Sequence, residues 1–287
     1  MISKAYVMRG IGDALNTRDF LYSYCRQKYI EHKNITIYTD LHKGIFEGDG
    51  FKIEDANKVN PKELVLYGNF CCLDLPKVSF FTKRFDLNIA QNARINYSFE
   101  DITPLSWSAD ISHIKLPEKF VTVNYGHDNH SNPHKVCTKM WSLKYWEELV
   151  KNIGVPCVQV GAGWSCKDIK GVTLNLVNKL SLKQSCEVMK RALFHIDIEG
   201  GLAILNYHIG VKSVVLFGST DMSHFGKKGN LNLRNTTCLA CSGSLNPMSK
   251  NLPIYVNPER VRDCRCRCMT DLKPDWVIEQ IYKNKWL

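Results

Sequence analysis

Two short glycine-containing turns carry the residues best suited to bind an anion. The stretch Phe194–Asp221 runs from a strand-like segment through Glu199–Gly201 into a helix-like segment. Glycines let a ligand approach the backbone closely, and the first N–H groups of a helix favour an anion. A second small polar loop, Gly218–Asp221, follows the next strand. We therefore predict a diphosphate at these turns, with two routine strand-to-helix turns as the alternative.

A lysine precedes another predicted helix. Lys139 follows a strand-like segment and stands just before the helix-like segment Ser142–Ile153. A lysine in this position can reach a phosphate as a mobile point charge. The alternative is a solvated lysine beside the core residue Trp141, since most lysines are exposed.

The first predicted strand ends in the glycine turn Gly10–Asp13, which places Asp13 at the start of a helix. A carboxylate here can act as a general base that takes the proton from an attacking hydroxyl group. The alternative is a carboxylate that only caps the helix.

Five of the twelve cysteines crowd into the last fifty or so residues as a C-x-x-C pair followed by C-x-C-x-C. This spacing is typical of tetrahedral zinc or iron sites. A site with four thiolates has no open position, so we predict a structural rather than a catalytic metal. Reduced thiols or a disulfide are the alternative. The predicted ligands are Cys238, Cys241, Cys264 and Cys268.

Strand-like and helix-like segments alternate along the chain, which is typical of α/β proteins with parallel sheets. The predicted strands are Lys4–Arg9, Ile35–Tyr38, Leu64–Tyr67, Phe120–Asn124, Cys157–Val160, Leu193–Ile198 and Ser213–Phe217. The predicted helices are Ala14–His32, Ser142–Ile153, Ser181–Ala192, Gly200–Ile209 and Asp275–Asn284. Between the two series, Cys71–Ser112 has weak periodicity and is predicted to be irregular with short helices.

These segments predict two Rossmann-like domains, residues 1–115 and 116–287, joined by the linker Ser112–Lys119. Ligands of parallel sheets bind at the carboxyl ends of the strands. We therefore expect the ligand in a cleft between two facing domains.

The composition is that of a soluble globular protein. The 287 residues contain 44% hydrophobic residues but no apolar stretch long enough to span a membrane. The first ten residues do not form a secretory signal, so we expect a cytoplasmic protein with reduced thiols. The net charge of +10 indicates either a solvated basic surface or attraction to phosphates, an anionic membrane or nucleic acid.

Several motifs occur together in a recognisable order: G-I-G-D-A-L, K-M-W, V-G-A-G, D-I-E-G-G-L-A-I-L and V-V-L-F-G-S-T-D. In this order they resemble the ADP-heptose:lipopolysaccharide heptosyltransferases of glycosyltransferase family 9, which have the GT-B fold. The resemblance is strongest over residues 118–285, and in the N-terminal half only the G-I-G-D region stands out.

The resemblance implies that residues 1–115 take the acceptor and residues 116–287 bind the nucleotide sugar. It also implies roles for matching positions. Asp13 matches the family's catalytic carboxylate, and Lys139 matches the lysine that steadies the donor phosphates. Glu199 stands where the family usually has aspartate, and Ile204 replaces a family histidine, so a contact from that side chain is missing. GT-B enzymes generally use no metal for the chemistry, whereas the similar autotransporter heptosyltransferases hold a metal with four cysteines. The implied donor-binding residues are Gly12, Lys139, Gly161, Glu199, Gly200, Gly201, Leu202, Thr220 and Asp221.

We therefore predict an inverting glycosyltransferase that moves a heptose-like sugar from an ADP-heptose-like donor to a surface glycan, lipopolysaccharide or protein acceptor. It would act in the cytoplasm, either free or in peripheral contact with the inner membrane. The alternatives are another GT-B enzyme, with a different sugar donor or sugar-nucleotide epimerase activity, and a non-catalytic nucleic-acid-binding protein with a metal knuckle. Nucleic acid is not the expected partner, because the chain has neither a basic-aromatic stripe nor a recognisable binding module.

Overall fold

The computed structural model describes residues 1–7, 10–67, 71–75, 85–126, 136–137, 139–163, 166–235, 255–256 and 267–287. They form two compact units, Met1–Pro104 and Leu105–Leu287. The segment after Pro104 packs on the C-terminal unit, where the N–H of Leu105 donates to the carbonyl of His208 at 2.9 Å. The acceptor and donor roles of the two halves stay predictions.

The N-terminal unit is built on one five-stranded sheet. Its strands are β1 (Lys4–Val7), β2 (Thr36–Tyr38), β3 (Lys52–Glu54), β4 (Val65–Tyr67) and β5 (Cys71–Leu73). Its helices are α1 (Ile11–Lys28), α2 (Lys43–Phe46) and α3 (Phe85–Ala93), and short 3₁₀ turns cover His32–Asn34, Ala56–Lys58 and Pro61–Glu63. The strand order is β3-β2-β1-β5-β4.

This N-terminal sheet is mixed rather than wholly parallel. Strands β1, β2 and β3 are parallel, as the βαβ pattern predicts. Strand β5 runs antiparallel to both β1 and β4, and it lies in a region predicted to be irregular. Residues 68–70 alone join β4 to β5, and a parallel connection needs a dozen residues or more. The antiparallel pairing follows from that short connection.

Helix α1 begins three residues earlier and ends four residues earlier than the predicted Ala14–His32. Its start is fixed by Asp13, whose carboxylate accepts a hydrogen bond from the N–H of Gly10 at 2.9 Å. Its end is fixed by Tyr29, which adopts the left-handed conformation with φ of 56°. Such a residue commonly ends a helix.

The C-terminal unit contains a six-stranded sheet and a separate pair of strands. The strands are β6 (Val121–Val123), β7 (Val136–Cys137), β8 (Cys157–Gln159), β9 (Leu174–Asn175), β10 (His195–Ile198), β11 (Ser213–Phe217), β12 (Leu231–Arg234) and β13 (Tyr255–Val256). The helices are α4 (Leu143–Asn152), α5 (Leu182–Arg191), α6 (Gly201–His208), α7 (Met222–Phe225), α8 (Arg267–Thr270) and α9 (Pro274–Lys283). All neighbouring strands in the order β12-β11-β10-β6-β8-β9 are parallel, whereas β7 and β13 pair antiparallel.

Two helices of this unit begin at the predicted serines. The hydroxyl of Ser142 accepts from the N–H of Tyr145 at 3.2 Å and caps α4. The hydroxyl of Ser181 accepts from the N–H of Gln184 at 3.2 Å, and the Gln184 side chain accepts from the N–H of Ser181 at 3.0 Å. This reciprocal pair is a capping box, which satisfies backbone donors that a helix start leaves open. None of the helices in the described ranges is long and apolar enough to cross a membrane.

The two faces of the six-stranded sheet differ in polarity. Alternate residues of a strand point to opposite faces. One face is mostly apolar and belongs to a core cluster that also contains residues of α4 and α9; its sheet residues include Val121, Val123, Ile196, Ile198, Val214 and Leu216. The other face carries buried polar side chains that we call the polar row: Thr122, Asn124, His195, Asp197 and Ser213.

Members of the polar row bond to one another across strands. The hydroxyl of Thr122 lies 2.9 Å from Nδ1 of His195, and Nδ2 of Asn124 donates to Asp197 at 3.0 Å. Nε2 of His195 lies 3.5 Å from the second Asp197 oxygen. Burial raises the pKa of the Asp197 carboxyl, although His195 and Asn124 act in the opposite direction. A buried carboxyl held by these partners is costly to disturb.

Two buried cysteines are expected to resist alkylation. Burial raises the pKa of Cys157 and of Cys186 to about 12. At pH 8 only about one in ten thousand of either thiol would then be thiolate, against roughly a quarter for an exposed cysteine. Peptide mapping after iodoacetamide treatment should find both unmodified in native protein and modified in guanidinium. Equal labelling in the two states would contradict this burial.

Candidate functional site

The carboxyl ends of β6 and β10 lie where the C-terminal sheet reverses its strand order. From β6 the chain continues to β8 and β9 on one side, and it then crosses to β10, β11 and β12 on the other. Ligands of open α/β sheets bind outside the carboxyl ends of the strands at such a switch point. Glu199 and Gly200 directly follow β10, and Thr220 follows β11. The fold therefore places these predicted residues where a ligand is expected.

Three predicted donor-binding side chains are in contact. The ammonium of Lys139 forms an ion pair with the carboxylate of Glu199. The hydroxyl of Thr220 donates to the same carboxylate oxygen, Oε2, at 2.9 Å. The Lys139 and Glu199 side chains are only 17% and 8% exposed, so solvent screens this pair less than a surface pair. We call these residues the Lys139 cluster.

Helix α6 begins next to this cluster. Gly200 is its N-cap residue, with an extended backbone (φ of −176°). A Cβ on Gly200 would meet only the carbonyl oxygen of Ile198, at 3.8 Å, so the fold does not require glycine there. Gly201 and Leu202 form the first turn, where backbone N–H groups have no acceptor within the helix. This end of the helix carries partial positive charge.

Asp221 caps a different helix. Its carboxylate accepts from the N–H of Ser223 at 2.9 Å and from the Ser223 hydroxyl at 2.7 Å, at the start of α7. The two predicted loop residues therefore have different contacts. Thr220 bonds to Glu199, whereas the Asp221 carboxylate caps α7.

Gly161 follows β8 and packs tightly against the polar row. Its φ is +134°, a backbone conformation that residues with a side chain rarely adopt. A Cβ on Gly161 would lie 2.6 Å from Oδ1 of Asn124. The thiol of Cys166 would lie 3.1 Å from the same Cβ. Glycine is therefore required by the local packing, and a role of Gly161 in donor binding stays a prediction.

Gly161→Ala should lower the free energy of unfolding by about 1–3 kcal/mol through backbone strain, with a further loss from overlap with Asn124. Gly210→Ala is the matched control, because Gly210 also has a positive φ (+75°) but a Cβ there would meet nothing within 4 Å. Urea unfolding of both variants measures the difference. Equal losses would show that the Asn124 contact contributes nothing.

Asp13 lies in the first turn of α1 in the N-terminal unit. It is the third residue of the helix rather than its N-cap, which is Gly10. Its carboxylate accepts from the N–H of Gly10, and its carbonyl accepts from the hydroxyl of Thr17 at 2.7 Å. The neighbouring Gly12 is buried. Asp13 thus stands beyond the carboxyl end of β1, as predicted, and it also stabilises the start of the helix.

Comparison with solved structures identifies the fold. The dodecameric iron-containing glycosyltransferase TibC of enterotoxigenic E. coli is similar with a TM-score of 0.66 and 14% identity, over 98% of this chain and 74% of that one. A glycosyltransferase family 9 structure from Veillonella parvula is similar with a TM-score of 0.64 and 13% identity, over 97% and 95%. This chain has the fold of a family 9 glycosyltransferase. The family 9 fold spans both units, although no protein-family model matches the sequence and no curated protein matches it.

TibC has also been solved in complex with ADP-D-β-D-heptose. That structure is similar to this chain with a TM-score of 0.65 and 14% identity, over 97% of this chain and 74% of that one. At this identity the likeness establishes the family 9 fold, and the predicted fold resemblance is thereby confirmed.

The predicted metal site of this family 9 fold falls mostly outside the described residues. Cys238, Cys241 and Cys264 are among the residues not described. Cys268 lies in α8, is 2% exposed and belongs to the apolar core of the C-terminal unit. Within the described ranges, no group of three or more histidine, cysteine, aspartate or glutamate side chains is placed to hold a metal.

The polar row was missed from the sequence, although a signal for it exists. In FVTVN and FHIDI, polar residues occupy alternate positions of otherwise apolar strands, which indicates a sheet with one polar face. Ile204, which replaces a family histidine, can also be placed: it lines a small cavity with Glu199 and Gly200.

Proposed function

We propose that this chain is a glycosyltransferase that binds the diphosphate of a nucleotide sugar at the Lys139 cluster. The observation that carries the proposal is the Lys139–Glu199 ion pair, joined by Thr220, at the carboxyl ends of β10 and β11. An ammonium group and the positive end of α6 are both complementary to a pyrophosphate. The family 9 fold supports the same assignment.

The proposed donor is ADP-heptose or a closely related nucleotide sugar. TibC, whose fold this chain shares, has been solved with ADP-D-β-D-heptose. The proposed acceptor is a surface glycan, lipopolysaccharide or protein. The net charge of +10 suits an anionic acceptor at the inner face of the cytoplasmic membrane, where basic proteins are attracted to anionic lipids.

The proposed reaction is a direct displacement at the anomeric carbon. Asp13 takes the proton from the attacking acceptor hydroxyl, and the bond between the sugar and the diphosphate breaks as the new glycosidic bond forms. Lys139 and the start of α6 stabilise the negative charge that develops on the leaving diphosphate. One displacement inverts the configuration at that carbon. We expect no catalytic metal in this scheme, because these groups supply the positive charge.

The test is a thermal-shift and calorimetric screen of ADP, UDP, GDP and their sugars, followed by an assay for released nucleoside diphosphate. A ligand at one hundred times its Kd should stabilise the fold by about 2.7 kcal/mol. Binding of a nucleotide sugar, with diphosphate release when an acceptor extract is added, supports the proposal. An epimerase would convert the sugar without release, and a chain that binds none of these nucleotides is not a glycosyltransferase of this kind.

We also propose that Cys238, Cys241, Cys264 and Cys268 hold a structural zinc or iron ion. The C-x-x-C spacing supports it, and TibC is described as iron-containing. Elemental analysis should find about one ion per chain, and Cys241→Ser should lose most of it and melt earlier. Cys166→Ser is the control that keeps the metal. Metal-free protein that is as stable as the metal-loaded form would contradict a structural role.

A further inference from the structure

A half-open cavity of about 560 Å³ lies at the surface of the N-terminal unit. It is lined by the last turns of α1, by residues 30 and 32 beyond that helix and by residues 101–104. Its volume is within the range of small-molecule sites. None of its lining residues belongs to the Lys139 cluster or to the first turn of α1 that contains Asp13.

The cavity lies at the amino ends of the parallel strands, whereas Asp13 lies at their carboxyl ends. His32 stands just before β2, and its ring stacks on Phe51, which stands just before β3. Asp13, in contrast, follows β1, and these three strands are parallel. Arg26 lies thirteen positions after Asp13 in α1, which is about 20 Å along a helix. The cavity is therefore a separate site from the one proposed for sugar transfer.

A buried ion pair braces the walls of this cavity. Nε of Arg18 lies 2.6 Å from Asp49, and the side chains are only 4% and 9% exposed. The hydroxyl of Tyr22 donates to Asp49 at 2.7 Å, and Nδ1 of His32 lies 2.6 Å from the Asp49 carbonyl oxygen. The Tyr22 and His32 rings meet edge to face with centroids 4.5 Å apart. These contacts fix two aromatic side chains as part of the cavity wall.

One cation at the cavity is available to a ligand. Arg26 lines the cavity and is exposed, and no carboxylate of the described residues forms an ion pair with it. The charge of Arg18, in contrast, is neutralised by Asp49. The carboxylate of Asp101 accepts from the N–H of Ser98 at 2.8 Å within its own turn. A guanidinium without a protein partner can bind a phosphate or carboxylate through two parallel hydrogen bonds.

We propose that this cavity binds an anionic sugar, that is, a sugar unit carrying a phosphate or a carboxylate. Arg26 binds the anionic group, and Tyr22 and His32 supply an apolar surface with polar edges against which the sugar ring packs. The site does not rest on the proposed transfer reaction, because it shares no residue with it. A nucleoside diphosphate bound at the Lys139 cluster should not displace the sugar.

Calorimetry and saturation-transfer NMR with glucose 6-phosphate and glucuronate test the proposal, with glucose and inorganic phosphate as reference probes. At least one of the two anionic sugars should bind more tightly than both reference probes. Arg26→Glu should weaken that binding by about tenfold or more. Lys28→Glu is the matched control, because Lys28 is exposed near the same end of α1 but does not line the cavity. Arg26→Gln, which removes the charge without reversing it, should give an intermediate loss.

The proposal would be overturned by equal binding to wild type and Arg26→Glu, by displacement of the sugar by ADP, or by inorganic phosphate binding as tightly as the sugar phosphate. Absence of binding to both anionic sugars by folded protein would also overturn it. Failure of the proposed transferase function is recognised separately, since that function depends on nucleotide binding. If the protein binds glucose 6-phosphate but no nucleotide, the anionic-sugar site is supported and the proposed donor site is not.

Discussion

Lys139→Ala should weaken nucleoside-diphosphate binding by about 10- to 150-fold. Hydrogen bonds to charged groups contribute about 1.5–3 kcal/mol each, which corresponds to that range. The substitution also leaves the largely buried carboxylate of Glu199 without its ion-pair partner. That carboxylate would then repel the incoming phosphates, so the loss should lie toward the upper end of the range.

A second substitution separates these two effects. Glu199→Gln removes the charge but keeps an oxygen that can accept from Thr220, so the double variant Lys139→Ala/Glu199→Gln should recover part of the lost affinity. Lys144→Ala is the control, because Lys144 is an exposed lysine in α4 and its loss changes the net charge equally. Calorimetry at one ionic strength measures all four proteins. If Lys139→Ala binds the nucleoside diphosphate as tightly as wild type, the Lys139 cluster is not part of the donor site.

Asp13→Asn should lower kcat by about 10²- to 10⁴-fold, the usual contribution of a general base. Donor affinity should stay unchanged, because Asp13 is assigned to the acceptor hydroxyl. The asparagine side chain keeps an oxygen that can accept from the N–H of Gly10, so the start of α1 is preserved. Initial rates at saturating donor, with calorimetry of donor binding, measure both quantities.

Comparison with Asp13→Ala distinguishes the role of the Asp13 carboxylate in proton transfer from its role in stabilising the start of α1. Alanine removes the base and the bond to Gly10, so it should lose the same activity and about 1 kcal/mol of stability as well. If Asp13→Asn is fully active and only Asp13→Ala is impaired, the carboxylate is needed for the helix start and not for proton transfer.

Much of the C-terminal unit could be predicted from its sequence. Strand β11 has the predicted bounds, Ser213–Phe217, because five buried residues in a row between polar turns indicate a central parallel strand. Helices α4 and α5 begin after Ser142 and Ser181 because a serine hydroxyl can accept from the first turn. Such local signals act over a few residues, so a single sequence is enough to find them.

Features that depend on distant partners could not be predicted in the same way. Strand β5 has only three residues, and its place between β1 and β4 is set by pairing with both. The motif order predicted Lys139 and Glu199 as members of one site. It did not predict that they form an ion pair with each other, because that contact depends on how the segment before α4 lies against the end of β10.

The polar row also specifies which strand residues can be neighbours. If β10 slipped by one position against β6, His195 and Asp197 would turn toward the apolar face and Ile196 would face Asn124, since alternate residues point to opposite sides. The misaligned sheet would then place an unpaired histidine and carboxyl among valines and leucines. The polar side chains thus favour a single register of β10 against β6 during folding. A uniformly apolar strand at this position would tolerate several registers.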